Sequence, residues 1–164
     1  MIWILLIIAV IGVDQITKHL VPVGTHIEII KGFFYITYCE NRGAAFSILQ
    51  NFRWGFIIIT IIAVAVMIRI MTTHKNTLAR LSLSLLIGGA LGNMIDRLFR
   101  GYVVDFFDFY PFGYDFAIFN VADVCITIGV GLLLIYIIFV YREPATGKTS
   151  AADKANKDSS ESGS

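Results

Sequence analysis

The stretch LARLSLSLLIGGALGNMIDRL, residues 78–98, decides the class of this chain. Crossing a hydrocarbon core takes roughly 20 mostly apolar residues, each rising about 1.5 Å along a helix. This run has that length, yet its last turns carry Asn93, Asp96 and Arg97. Working outward, three more runs qualify as spans, at about 2–20, 54–71 and 120–141. The composition agrees: 57% of the residues are hydrophobic and 15% charged, with a mean hydropathy of +0.75, whereas a soluble domain is about 25% charged. The expected fold class is therefore an all-α membrane protein of four transmembrane helices. The first run reads as a retained helix, because it lacks a basic leading region and an A-x-A-like cleavage site. Trp3, Trp54, Tyr136 and Tyr141 lie near span ends, where amphipathic rings favour the headgroup layer.

Residues 1–142 are expected to form one domain, followed by a disordered cytoplasmic tail, 143–164, that has almost nothing to bury. Four spans put both termini on one side together with the turn through 72–77. That side carries Arg69, Lys75, Arg80 and Arg142, while the longer connections 21–53 and 99–119 mix Lys31, Arg42 and Arg53 with Glu28 and Glu40. The positive-inside tendency makes the first side cytoplasmic. Within the extracytoplasmic region of about 22–53, apolar and polar residues alternate from His26 to Ile30 and from Phe34 to Tyr38, between Gly24 and Gly32. This predicts a small β-structured region resting on the membrane surface. The net charge of +1, with basic residues scattered, gives no track for a phosphate backbone and argues against nucleic acid. The two cysteines, Cys39 and Cys125, are too few for a disulfide framework.

The polar residues inside the spans gather toward the extracytoplasmic ends, and the other halves hold almost none. Asp14, Gln15 and Lys18 lie in the first span, Asn93, Asp96 and Arg97 in the third, and Asn120 and Asp123 at the start of the fourth, with Asp105 in the connection before it. A charge at mid-bilayer costs on the order of 3 kcal/mol even on a lenient scale. Their gathering on one face implies a shared polar site. Asp14 and Lys18, four apart, can pair on one helix face, and Gly88 and Gly92 form a G-x-x-x-G that admits another helix closely. Lysine and arginine at helix ends also snorkel to headgroups, a reading open to Lys18, Arg97 and Arg100. A short carboxylate such as Asp123, one turn after Asn120, cannot reach so far.

The runs DQITK (14–18), NRGAAFS (41–47), GGALGNMIDR (88–97), GYVVDF (101–106) and FNVAD (119–123) resemble, in order and spacing, the motif series of the bacterial lipoprotein signal peptidases. The resemblance implies an aspartic peptidase of the bacterial plasma membrane, without metal or cofactor. It would cut diacylglyceryl prolipoproteins just before the lipid-modified cysteine, with its site toward the extracytoplasmic face. It implies Asp105 and Asp123 as the catalytic pair, and Asp14, Lys18, Asn41, Gly43, Asn93, Arg97, Asn120 and Ala122 as residues that shape and support the site. Arg42 departs from the smaller polar residue of many members, and Cys39 has no evident role.

Two aspartates suit that chemistry. One carboxylate takes a proton from water while one carboxylic acid protonates the carbonyl oxygen, and two carboxyls held close share a proton and divide those roles. Asn93, Arg97 and Asn120 are expected to donate hydrogen bonds to the pair or to the substrate backbone. Other chemistries lack parts: there is no H-E-x-x-H, and His19, His26 and His74 are scattered. Ser47 and Cys125 read as packing residues, and Asp108 and Asp115 as surface or turn carboxylates. A proton-coupled transporter or channel subunit is the alternative, but transport wants polar groups along the whole crossing. A scaffold held by G-x-x-x-G explains the glycines and none of the aspartates.

Overall fold

The computed structural model describes residues 1–43, 52–114 and 116–141. Ala44 to Phe46, Ser47, Asp115, Arg142 and the expected tail lie outside the described residues. Among the described residues, four helical segments are long and apolar enough to cross a membrane: α1 (Ile2–His19), α2 (Arg53–Thr73), α3 (Thr77–Phe99) and a fourth, Val121–Val140, that begins with α4 (Val121–Ile135). The chain from α4 continues in a π-helical turn, Tyr136–Val140. The turn between α2 and α3 is shorter than the sequence suggests, because the two helices reach to within three residues of each other. Asn76 supplies the reason: its side chain accepts from the amides of Leu78 (2.9 Å) and Ala79 (3.2 Å), so α3 begins at once.

Three strands form one antiparallel sheet in the order β1 (His26–Ile30), β2 (Phe34–Asn41) and β3 (Val103–Phe109). The first two match the alternation in the sequence. The third falls in a segment whose sequence predicts only a connection, because VVDFFDF is buried on both faces over most of its length and shows no clean alternation. The β2–β3 register shifts between Ile36 and Cys39, a bulge after which Cys39 stands opposite Asp105 and Asn41 opposite Val103. Asp108 corrects an expectation: it is a buried strand residue, 1% exposed, accepting from the Thr37 hydroxyl at 2.7 Å.

The bundle is organised around α3. A Cβ on Gly88 would lie 2.8 Å from Val10 of α1, one on Gly92 2.7 Å from the Asp14 carboxylate, and one on Gly89 2.5 Å from the carbonyl oxygen of Ala122. Only glycine allows α1 and α4 to come this near α3. Because β1 and β2 follow α1 and β3 links α3 to α4, the sheet sits at the bundle end that carries the polar residues.

Candidate active site

Lys18 was open to a snorkelling reading. It is instead 1% exposed, its ammonium meeting Asp14 Oδ2 at 2.9 Å, Asp96 Oδ2 at 2.8 Å and Asn93 Oδ1 at 2.9 Å. Three protons meet three acceptors, so the buried cation is fully satisfied. Two carboxylates face it, and Arg100 Nε lies 3.8 Å from Asp96 Oδ1, bringing the cluster toward neutrality. Gln15 donates toward Asp14, Asp96 and the Gly92 carbonyl at 3.2 to 3.3 Å. Asp14 has one oxygen left, and it accepts the Ala122 amide at 2.9 Å. That amide is one of the unpaired N–H groups at the start of α4, so α1 fixes the position of the turn that carries Asp123.

Three asparagines then aim their amides at the two aspartates, each because its carbonyl oxygen is already engaged. Asn93 Oδ1 accepts from Lys18, which turns its NH2 to Asp123 Oδ1 at 2.8 Å. Asn120 Oδ1 accepts from the Asp123 amide at 3.0 Å, which turns its NH2 to Asp105 Oδ1 at 2.6 Å. Asn41 Oδ1 accepts from the Gly43 amide at 3.0 Å, which turns its NH2 to Asp105 Oδ2 at 2.9 Å. Asn120 and Asp123 also form a capping box, the Asp123 carboxylate accepting the Asn120 amide at 3.1 Å. The carboxylates are thus held by hydrogen bonds at the junction of β3 and α4.

Both aspartates line one cavity of about 540 Å³, together with Asn41, Asn93, Arg97 and a largely apolar wall made by Phe116 to Phe119 and by Val124, Ile126 and Ile128. Asp105 is 2% exposed and Asp123 half-buried. Burial lifts the Asp105 carboxyl from its ordinary 3.8 to about 7, and the charge of Asp123 adds to the rise; the amides of Asn41 and Asn120 pull weakly the other way. Burial likewise raises the Cys39 thiol, opposite Asp105 in the sheet.

The site residues expected from sequence come together here, with one change of role. Arg97 does not reach the aspartates: it donates to the carbonyls of Gly43 (2.9 Å) and Asn93 (3.4 Å) and lies over the Phe56 ring, so it ties the 41–43 segment to α3. Gly43 and Ala122 take part through their backbones. Asp96 and Gln15, part of the polar gathering in the sequence but outside the supporting residues that the resemblance implies, also belong to the cluster. The signal was available in Asp96, an acid within an apolar helix three residues from Asn93, which the i, i+4 pattern passed over. Among the described residues, no group of three His, Cys, Asp or Glu side chains is placed to hold a metal ion.

A four-helix membrane bundle whose buried polar groups converge on two neighbouring carboxyls in an apolar cavity has the architecture of a membrane-embedded acid–base hydrolase. Residues 6–139 match the model of the family described as Signal peptidase (SPase) II. Among curated relatives, the lipoprotein signal peptidase of Symbiobacterium thermophilum is 46% identical over 149 residues, 87% of this chain and 98% of the relative. That of Clostridioides difficile is 46% identical over 145 residues, 85% and 96% of the two chains. A bacterial membrane enzyme solved by the in meso method at 2.3 Å superposes with a TM-score of 0.77 and 42% identity, covering 82% of this chain and 86% of that one. A second such structure, at 1.9 Å, gives 0.75 and 41%, covering 85% and 94%. The chain belongs to the signal peptidase II family, a family of aspartic peptidases, and is a multi-pass membrane protein.

Proposed function

We propose that this protein removes signal peptides from diacylglyceryl-modified prolipoproteins by cutting before the lipidated cysteine, with Asp105 and Asp123 as its catalytic pair. The reading is carried by one observation: two carboxyls, bridged by the side chain and backbone of Asn120, line the same largely apolar cavity. The curated relatives' name supports the reaction, and the apolar wall suits a signal sequence and acyl chains.

In this reading the two carboxyls divide the roles by their environments. Asp105, buried and pushed up to about 7, is the proton carrier at neutral pH. Asp123, more open and accepting from Asn93 and the Asn120 amide, is the base. Water adds to the scissile carbonyl carbon as Asp123 takes its proton and Asp105 protonates the carbonyl oxygen. The resulting diol collapses when Asp123 passes its proton to the leaving nitrogen, the C–N bond breaks, and Asp105 recovers a proton from the diol hydroxyl. The products are a carboxylic acid on the signal peptide and a free amine on the lipidated cysteine, with both aspartates restored. The resident amides keep this geometry fixed through the cycle.

The proposal includes orientation: both termini in the cytoplasm, and the sheet and cavity on the extracytoplasmic side of a bacterial plasma membrane. It also includes recognition of the lipid. Each acyl methylene contributes about 0.8 kcal/mol to membrane partitioning, so the modification confines the bond to the depth of the site and raises its effective concentration. The test compares a lipidated precursor with the same precursor bearing an unmodified cysteine, both inserted in bilayers. A far lower kcat/KM is expected for the second, and equal values would overturn lipid recognition.

A further inference from the structure

Beyond the cavity, the chain between β3 and α4 turns through Pro111 and Gly113 and carries two rings out into the open. Phe112 is 99% exposed and has a φ of 56°, and Tyr114 is 76% exposed. The turn is closed by the Gly113 amide on the Tyr110 carbonyl (3.3 Å) and the Tyr114 amide on Pro111 (3.1 Å). A bulky residue at positive φ is uncommon, and such strain persists where something beyond local stability selects it. Gly113, with a φ of 79°, stands next to it.

The cavity shows at what level this turn lies. The returning chain, Phe116 to Ile118, faces Val124 and Ile128 of α4 across the same space. Ile128 lies seven residues into α4, about 10 Å along the helix axis, and is itself half exposed toward the lipid side. Phe116, also lining the cavity, is 50% exposed. Aromatic rings are favoured at the boundary between headgroups and acyl chains, and the return of the chain along the first two turns of the fourth span brings this turn beside that boundary if the span begins near Val121.

We propose that Phe112 and Tyr114 form an interfacial anchor that inserts into the lipid beside the mouth of the cavity. The partner is the phospholipid bilayer itself, and the anchor keeps the wall from Phe116 to Ile118 at a set depth. The residues Phe33 and Ile30, exposed where the β1–β2 hairpin meets Tyr110, extend the same apolar edge.

The test needs no catalysis, so its failure is separate from that of the proposed reaction. Single-tryptophan proteins carrying Phe112→Trp or Tyr114→Trp are made in a Trp3→Phe, Trp54→Phe background and placed in phosphatidylethanolamine and phosphatidylglycerol vesicles. Blue-shifted emission, loss of most of it to lipids brominated near the headgroup, and protection from aqueous acrylamide are expected at both positions. Emission open to acrylamide and untouched by bromolipid would overturn the proposal. So would blue-shifted emission that bromolipid leaves alone, since the rings would then fold onto protein. Phe112→Gly, suited to the positive φ, serves as the ring-free control: it should leave the Tyr114→Trp turn folded but reduce its bromolipid quenching.

Discussion

Helices α2 and α3 are of similar length and lie side by side, yet they do opposite things. α2 buries two residues, Ile57 and Val64, and shows lipid a row of isoleucines that includes Ile58, Ile59, Ile61 and Ile62. α3 buries ten, among them Ser82, Ser84, Asn93, Asp96 and three glycines. In water the more apolar helix goes inside. In lipid, burying isoleucine gains little because the tails are as apolar as the side chain, so small and polar residues take the interior. Of these two, the less hydrophobic helix therefore supplies the buried supports Asn93 and Asp96, and the more hydrophobic one is a lipid-facing flank.

The largest effects should come from the polar end of this contrast. Asp105→Asn or Asp123→Asn is expected to lower kcat/KM on a lipidated precursor by on the order of 10³-fold or more while the protein stays folded in detergent. Full activity in Asp123→Asn would remove it from the pair. The wild-type rate should follow a bell in pH whose alkaline limb lies near the value of about 7 held by Asp105; the two apparent constants belong to the pair. Stability has a matching sign. Between its ordinary 3.8 and about 7, Asp105 keeps a proton in the folded state that the unfolded chain has released. Its contribution is complete below about 4 and lost as pH rises through about 7, so Asp105→Asn should flatten that decline in a thermal-melt series.

Next in size is the ion cluster. Lys18→Met leaves Asp14 and Asp96 buried without their cation, and removing one partner of a buried ion pair costs about 3 to 5 kcal/mol. The melting temperature in detergent should fall sharply. A triple variant that also carries Asp14→Asn and Asp96→Asn should recover much of it, because no unpaired charge then remains. Persistence of the full loss in the triple variant would show that packing around the lysine stem, and not charge, is what Lys18 provides.

The same contrast explains what could be read from the sequence. Spans show through length and hydropathy alone, and Asp14, Lys18, Asn93, Asn120 and Asp123 stand out because polar residues in lipid need a reason to be there. β3 did not stand out. Its Val and Phe are buried on both faces by the helices and β2, so the alternation that revealed β1 and β2 is absent. Asp108 was misread for the same reason: a carboxylate among aromatic residues looks like a loop residue until Thr37 is placed across the sheet from it. The part of Arg97 was hidden because its partners are backbone carbonyls, which no residue pattern announces.

Glycines along the helices grade the contrast down to its smaller effects. Gly89→Ala puts a methyl 2.5 Å from the Ala122 carbonyl, so α4 must shift just before Asp123. Overpacking of this kind costs about 1 to 3 kcal/mol, and cleavage should fall further than the melting temperature alone accounts for.

The smallest expected effect compares Gly129 with Gly131 within α4. Two residues apart on a helix, they point about 200° from one another. A Cβ on Gly129 would meet Leu86 Cγ at 2.9 Å and the Ser82 carbonyl at 3.0 Å, whereas nothing lies within 4 Å of one on Gly131. Gly131→Ala removes backbone freedom from the unfolded state without meeting a neighbour, and should raise stability by roughly 0.5 to 1 kcal/mol. Gly129→Ala gains the same entropy but has to push α3 and α4 apart, so its net change should be a loss. Melting curves of the two single variants decide it. Equal shifts would mean that α4 turns both faces to lipid, and that its packing on α3 does not set the position of Asp123.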